Sequence, residues 1–136
     1  MRAFAIWLAL TVTAFAGAGG AYHAYLTSHP RLVAIVIDTS YEMRSVLSVA
    51  ANTASALAAD ARYSEIAYFS DKAQLSDYLP KARVPPLSAY GPRQLNKLSD
   101  GTLANQLVDA QRIIFISNAP AAERARLPGH WQQITL

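Results

Sequence analysis

The chain has 136 residues, 52% of them hydrophobic and 15% charged, with a net charge of +3 and no cysteine. That composition excludes disulfide scaffolds, thiolate metal sites and thiol catalysis, and leaves room for one domain plus a very apolar segment. The apolarity is local: Arg2 is the one charged side chain before Arg31, and taking it from the 12 Lys/Arg leaves 11 against 9 Asp/Glu. A body that mildly basic, without a Lys/Arg block or a basic-aromatic stripe, gives no reason to expect nucleic acid.

Residues 3–21 contain neither charge nor proline, and about twenty such residues match the hydrocarbon thickness of a bilayer as a helix. Two readings of this segment stay open. Arg2, an apolar stretch and Ala16-Gly17-Ala18 have the order of a secretory signal with a small-residue cleavage site. The apolar character continues through Tyr22, Tyr25 and Leu26, however, which favours an uncleaved signal anchor over residues 1–26 with its tyrosines at the far interface. Either way Arg2 is expected to stay cytoplasmic and the body to lie outside the cytoplasm, anchored or released to the periplasm. Ala14, Gly17, Ala18 and Ala21 would let another membrane helix approach closely. Residues 27–31 form a short linker, with His23 and His29 at its edges as interfacial or solvated side chains.

Residues 32–37 are a short apolar run rich in β-branched side chains, the pattern of a strand buried on both faces. Asp38-Thr39-Ser40 stops it. Met43, Val46, Leu47, Ala50, Ala54, Leu57 and Ala58 then recur at helical spacing on one face. Strand, polar turn and amphipathic helix open a βαβ unit, and the turn at a strand's carboxyl end is the usual ligand position in such sheets. A second strand is expected at residues 64–70 and an antiparallel edge strand at 73–79. A proline-rich basic loop follows at 80–98, carrying Lys81, Arg83, Arg93 and Lys97. Ser99-Asp100-Gly101-Thr102 offers N-cap residues for a helix through Leu103, Leu107, Val108 and Ala110. Strands at 112–117 and 131–136 flank a short helix at 121–127. The alternation predicts a three-layer, mostly parallel α/β sheet over residues 32–136, preceded by one transmembrane helix.

This order of features resembles the von Willebrand factor type A family, a Rossmann-like fold. The pieces that carry the resemblance are Asp38-Thr39-Ser40-Tyr41-Glu42, then Tyr68-Phe69-Ser70-Asp71, Asp100-Gly101-Thr102-Leu103 and Ser117-Asn118-Ala119. The family's first motif is Asp-x-Ser-x-Ser and its late strand ends in Thr-Asp-Gly. Glu42 therefore stands where a serine is usual, and Asn118 where an aspartate is usual. The chain also stops at what would be the fifth main strand.

The resemblance implies a metal-ion-dependent adhesion site holding Mg²⁺ or another divalent cation. Asp38, Ser40, Thr102 and Asn118 would be its ligands, with Glu42 a further candidate. It further implies that another protein, such as a membrane-complex subunit, docks on Asp38, Ser40, Tyr41, Glu42, Thr102 and Asn118. Read without the family, Thr39-x-x-Glu42 is a capping box at a helix start. The leading expectation is a membrane-anchored, non-enzymatic protein-binding module. The alternative is a small hydrolase or phosphotransferase using the strand-terminal Asp38, and a third reading places the function in the membrane helix itself.

Overall fold

A computed structural model of the chain describes residues 2–136. They fall into two compact units, one ending at Pro30 and the other Arg31–Leu136. The first is a single helix, α1 (Arg2–Ser28), 27 residues long and without a buried side chain. At 1.5 Å per residue it measures about 40 Å, more than a hydrocarbon core requires. Its hydroxyls turn inward on the backbone: Thr11 donates to the Trp7 carbonyl, Thr13 to Ala9 and Thr27 to His23, each at 2.8–2.9 Å. A helix in lipid needs such internal satisfaction. The helix runs two residues beyond the expected boundary because Thr27 and Ser28 back-bond to the preceding turn. His29 stacks on Tyr25 with ring centroids 4.5 Å apart, and Pro30 ends the helix because proline has no N–H to continue it. Met1, part of the expected anchor, lies outside the described residues.

The second unit is an α/β body built on a four-stranded, all-parallel sheet of order β2-β1-β3-β4. The strands are β1 (Arg31–Ile37), β2 (Ser64–Ser70), β3 (Arg112–Ser117) and β4 (Gln132–Thr135). Alternate residues of the three longer strands feed two separate cores, as period-two geometry requires. Val33, Ile35, Ile37, Ile66, Tyr68, Ile114 and Ile116 pack with Met43, Ala50 and Ala54. Ala34, Val36, Ala67, Phe69, Ile113 and Phe115 pack with Leu95, Leu98, Leu103, Leu107, Leu127 and Trp131. The unbroken apolar runs in the sequence are thus explained by burial on both faces.

Between the strands lie α2 (Leu47–Asp60), α3 (Asn96–Asp100), α4 (Thr102–Leu107) and α5 (Ala121–Arg124). Helix α2 turns Ala50 and Ala54 onto the sheet, small side chains that allow close approach. It begins later than the motif suggests, because Tyr41–Met43 form a separate turn of 3₁₀ helix. The caps differ from expectation as well. Neither that turn nor α4 has a side-chain cap, and the Thr39 hydroxyl donates instead to Asp71 at 2.9 Å, so the capping box does not form. Val108 lies beyond the end of α4 and is exposed. The break between α3 and α4 needs glycine: a Cβ on Gly101 would meet the Lys97 carbonyl at 2.9 Å.

Residues 73–79 lie antiparallel along the outer edge of β2, but only as two isolated bridges, Gln74 with Phe69 and Leu79 with Ile66. Between them the Tyr68 N–H donates to the Ser76 hydroxyl at 3.0 Å instead of a carbonyl. A side chain in the ladder position prevents a regular fifth strand. Ala82, Val84 and Leu87 then join the α2-side core, and the chain crosses the carboxyl end of the sheet before α3 begins on the other core.

Candidate functional site

Strand β1 is the switch point of the sheet. The chain leaves it through α2 to reach β2 on one side, and later returns to β3 on the other. The carboxyl ends of β1 and β3 therefore open a crevice of the kind in which α/β proteins place ligands. Asp38 follows β1 immediately and stays in the sheet's hydrogen bonding, donating its N–H to the Ile116 carbonyl at 3.0 Å. Ser117 and Asn118 arrive beside it from β3.

Asp38 is completely buried. Its Oδ1 accepts the Ser40 N–H at 2.9 Å. Its Oδ2 accepts both the Ser117 hydroxyl and the Arg93 Nε–H, each at 2.6 Å. Burial pushes this carboxyl's pKa up. The Ser117 and Ser40 groups, followed by Arg93, outweigh it and hold the pKa below the ordinary carboxylate value. Arg93 goes on to join three segments. Its Nη2 donates to Asn118 Oδ1 at 2.7 Å and its Nη1 to Glu123 Oε2 at 3.0 Å. Desolvation lowers the Arg93 pKa, but the bonds to Asp38 and Glu123 more than reverse that and raise it. The Asn118 amide donates in turn to the Glu42 carbonyl at 2.7 Å. The Ser40 hydroxyl is buried beside the Asp38 and Glu42 carboxylates without reaching hydrogen-bond geometry.

A second buried carboxylate, Asp71 at the end of β2, secures the neighbouring turn. Its Oδ1 accepts the Thr39 N–H and hydroxyl, its Oδ2 accepts the Gln94 N–H, and Lys72 reaches both oxygens at 2.8–2.9 Å. The loop between β2 and α3 is thereby laced down over the crevice. Two backbone bonds complete the lacing, Tyr90 N–H to the Thr39 carbonyl at 2.9 Å and Tyr41 N–H to the Gly91 carbonyl at 3.0 Å. Gly91 has φ +66°, a left-handed conformation that glycine takes without strain. Tyr41 and Tyr90 remain exposed on the rim, with Lys72 Nζ 4.9 Å from the Tyr90 ring centroid.

Of the residues singled out in the sequence, Asp38, Ser40, Tyr41, Glu42 and Asn118 come together here. Thr102 begins α4 and is exposed, and among the described residues its side chain makes no hydrogen bond to those five. Sequence reasoning missed Arg93, Asp71, Ser117 and Glu123 as parts of the site. The available signal for Arg93 was its position after Gly91-Pro92, a turn-forming pair that aims the next residue.

This donor set does not fit a divalent cation. Mg²⁺ requires near-octahedral oxygen coordination, whereas Asp38 Oδ2 and Asn118 Oδ1 both face the Arg93 guanidinium. The positive charge at the centre of the site is the protein's own. Asp38 is equally ill placed for nucleophilic attack, because its Oδ2 accepts two short hydrogen bonds that attack would have to break. Comparison of the chain with family models, characterised proteins and solved structures gave no match.

Proposed function

We propose that this protein is a membrane-tethered, non-enzymatic interaction module. Its body is a three-layer domain of the von Willebrand A type on the extracytoplasmic side, and it binds another protein through the crevice rim. One observation carries the reading: Arg93 ties Asp38, Asn118 and Glu123, from three separate segments, into one rigid cluster at the switch point. A network so fully committed to itself suits a recognition platform better than a reaction centre, since recognition profits from preorganisation. The rim it supports carries two exposed tyrosines and two acidic side chains, Glu42 and Glu123. Tyrosine is enriched among the residues that dominate binding energy at protein interfaces. With Arg93 supplying the cation, recognition requires no metal.

The test is photocrosslinking in the native membrane, with a photoreactive residue in place of Tyr41 or Tyr90 in the full-length chain. A discrete crosslinked product is expected from both positions. It should persist in EDTA, be absent from the same probe at Lys97, and disappear on Arg93→Ala. Products that appear equally from Lys97 would remove the rim from the proposal, and loss in EDTA would restore the metal-dependent version.

A further inference from the structure

The opposite end of the sheet carries a second polar feature. Where β1, β2 and β3 begin, Arg31, Arg62 and Arg112 line an open cleft of about 630 Å³, together with Asp60, Ser64 and Gln111. All three arginines are exposed. Among the described residues none of them forms an ion pair, in contrast to Arg93 and Lys72. Asp60 is the one acidic side chain lining the cleft, so positive charge is in excess. The backbone that positions the arginines is firm: Arg31 N–H donates to the Tyr63 carbonyl at 2.9 Å, and the Ser64 hydroxyl to the Arg62 carbonyl at 3.2 Å. Arg112 donates to the Gln132 side-chain oxygen, which is neutral and leaves its charge unbalanced.

The covalent chain keeps Arg31 close to the end of α1. Only His29 and Pro30 separate the last residue of α1 from Arg31. At about 3.6 Å per residue, three steps of chain reach roughly 11 Å at most. If α1 spans a bilayer and the lipid ends near its last residues, Arg31 comes within reach of the headgroups. Guanidinium groups bind phosphate through paired N–H donors and are less strongly hydrated than ammonium groups. We propose that the Arg31, Arg62 and Arg112 cleft binds the phosphate of an anionic phospholipid headgroup and so seats the body on the membrane surface. This inference rests on reading α1 as a membrane span.

The experiment uses the full-length protein reconstituted into vesicles of phosphatidylcholine, alone or mixed with phosphatidylglycerol. Flotation through alkaline buffer first scores insertion. The ratio of phosphatidylglycerol to phosphatidylcholine retained after solubilisation is then measured by native mass spectrometry. The native chain should retain phosphatidylglycerol preferentially. Arg62→Gln with Arg112→Gln should cut that preference roughly 25-fold, on a scale of about fivefold per surface arginine. The charge-matched pair Lys97→Gln with Arg126→Gln, both at exposed positions, should leave it unchanged. Insertion without lipid preference overturns the proposal while the span stands, and failure to float overturns both. An equal loss from the control pair shows only diffuse charge and overturns the site. So does competition by inorganic phosphate added at the same concentration as the lipid, which would mark a cleft for soluble anions.

Discussion

The two ends of this sheet treat charge in opposite ways. At the carboxyl end, Asp38 and Asp71 are buried, and each carries a cation of the protein's own, Arg93 and Lys72, at 2.6 and 2.8 Å. At the amino end, three arginines stand exposed, without an ion-pair partner among the described residues. Internal pairing in a dry crevice fixes geometry and resists salt, because few mobile ions penetrate between the charges. Exposed like charges fix little, but they create a field that an external anion can answer. The proposed roles follow this difference, shape-specific contact at the first end and a charged surface at the second, and each can be broken separately.

The largest expected effect comes from Asp38→Ala. It removes the acceptor of the Arg93 Nε–H, in a guanidinium 10% exposed, and that of the Ser117 hydroxyl. Breaking a buried pair by removing one member costs about 3–5 kcal/mol. Urea unfolding of the full-length chain in detergent, followed by far-UV circular dichroism, measures it. A loss under about 1 kcal/mol, the level of exposed pairs, would mean that the carboxyl end is no more tightly organised than the amino end.

A smaller effect of the same carboxylate appears on acidification. The folded-state pKa of Asp38 lies below its unfolded value, so the native state binds fewer protons than the unfolded one. Its contribution to stability is complete above the unfolded pKa of about 3.9 and fades as pH falls through the folded value. The pKa of Glu42 is lowered too, chiefly by its own backbone N–H, and contributes in the same direction. The difference in unfolding free energy between the native protein and Asp38→Ala should thus be constant from neutrality to about pH 5, then shrink below pH 4. A difference that stays flat to the acid limit would mean that the carboxyl is not held ionised in the crevice.

Much of the carboxyl end was legible in the sequence, and the reason is local. Residues 32–37 and 112–117 are continuous apolar runs, so strands buried on both faces follow from composition. The polar residues that terminate them then fall at the crevice by topology alone. What escaped was long-range. Arg93 is 55 residues from Asp38, and in a loop with four prolines it looks like any solvated basic side chain. Asp71 was visible only as the end of the Tyr68-Phe69-Ser70-Asp71 piece, and its role depends on Thr39 and Gln94 meeting it from two other segments. Thr102 was assigned by motif order alone, and it begins α4 directly after the chain breaks at Gly101. The amino-end cleft gave no signal at all, because Arg31, Arg62 and Arg112 become neighbours only when three strand starts are set side by side.

Glu123→Gln should produce the smallest change, and its smallness would locate the boundary between the two kinds of electrostatics. Its bond to Arg93, at 3.0 Å, is longer than the 2.6 and 2.7 Å bonds to Asp38 and Asn118, and the glutamate side chain is 44% exposed. A half-exposed pair gains little over hydration and is screened by salt, so the expected loss is about 0–1 kcal/mol and should vanish at high ionic strength. The same salt series should leave the Asp38→Ala deficit nearly untouched. If Glu123→Gln instead proved as costly and as salt-insensitive as Asp38→Ala, the dry part of the crevice would extend outward to α5. The solvent boundary of the rim would then lie beyond Glu123, and a partner would meet Tyr41 and Tyr90 without an accessible carboxylate between them and the network.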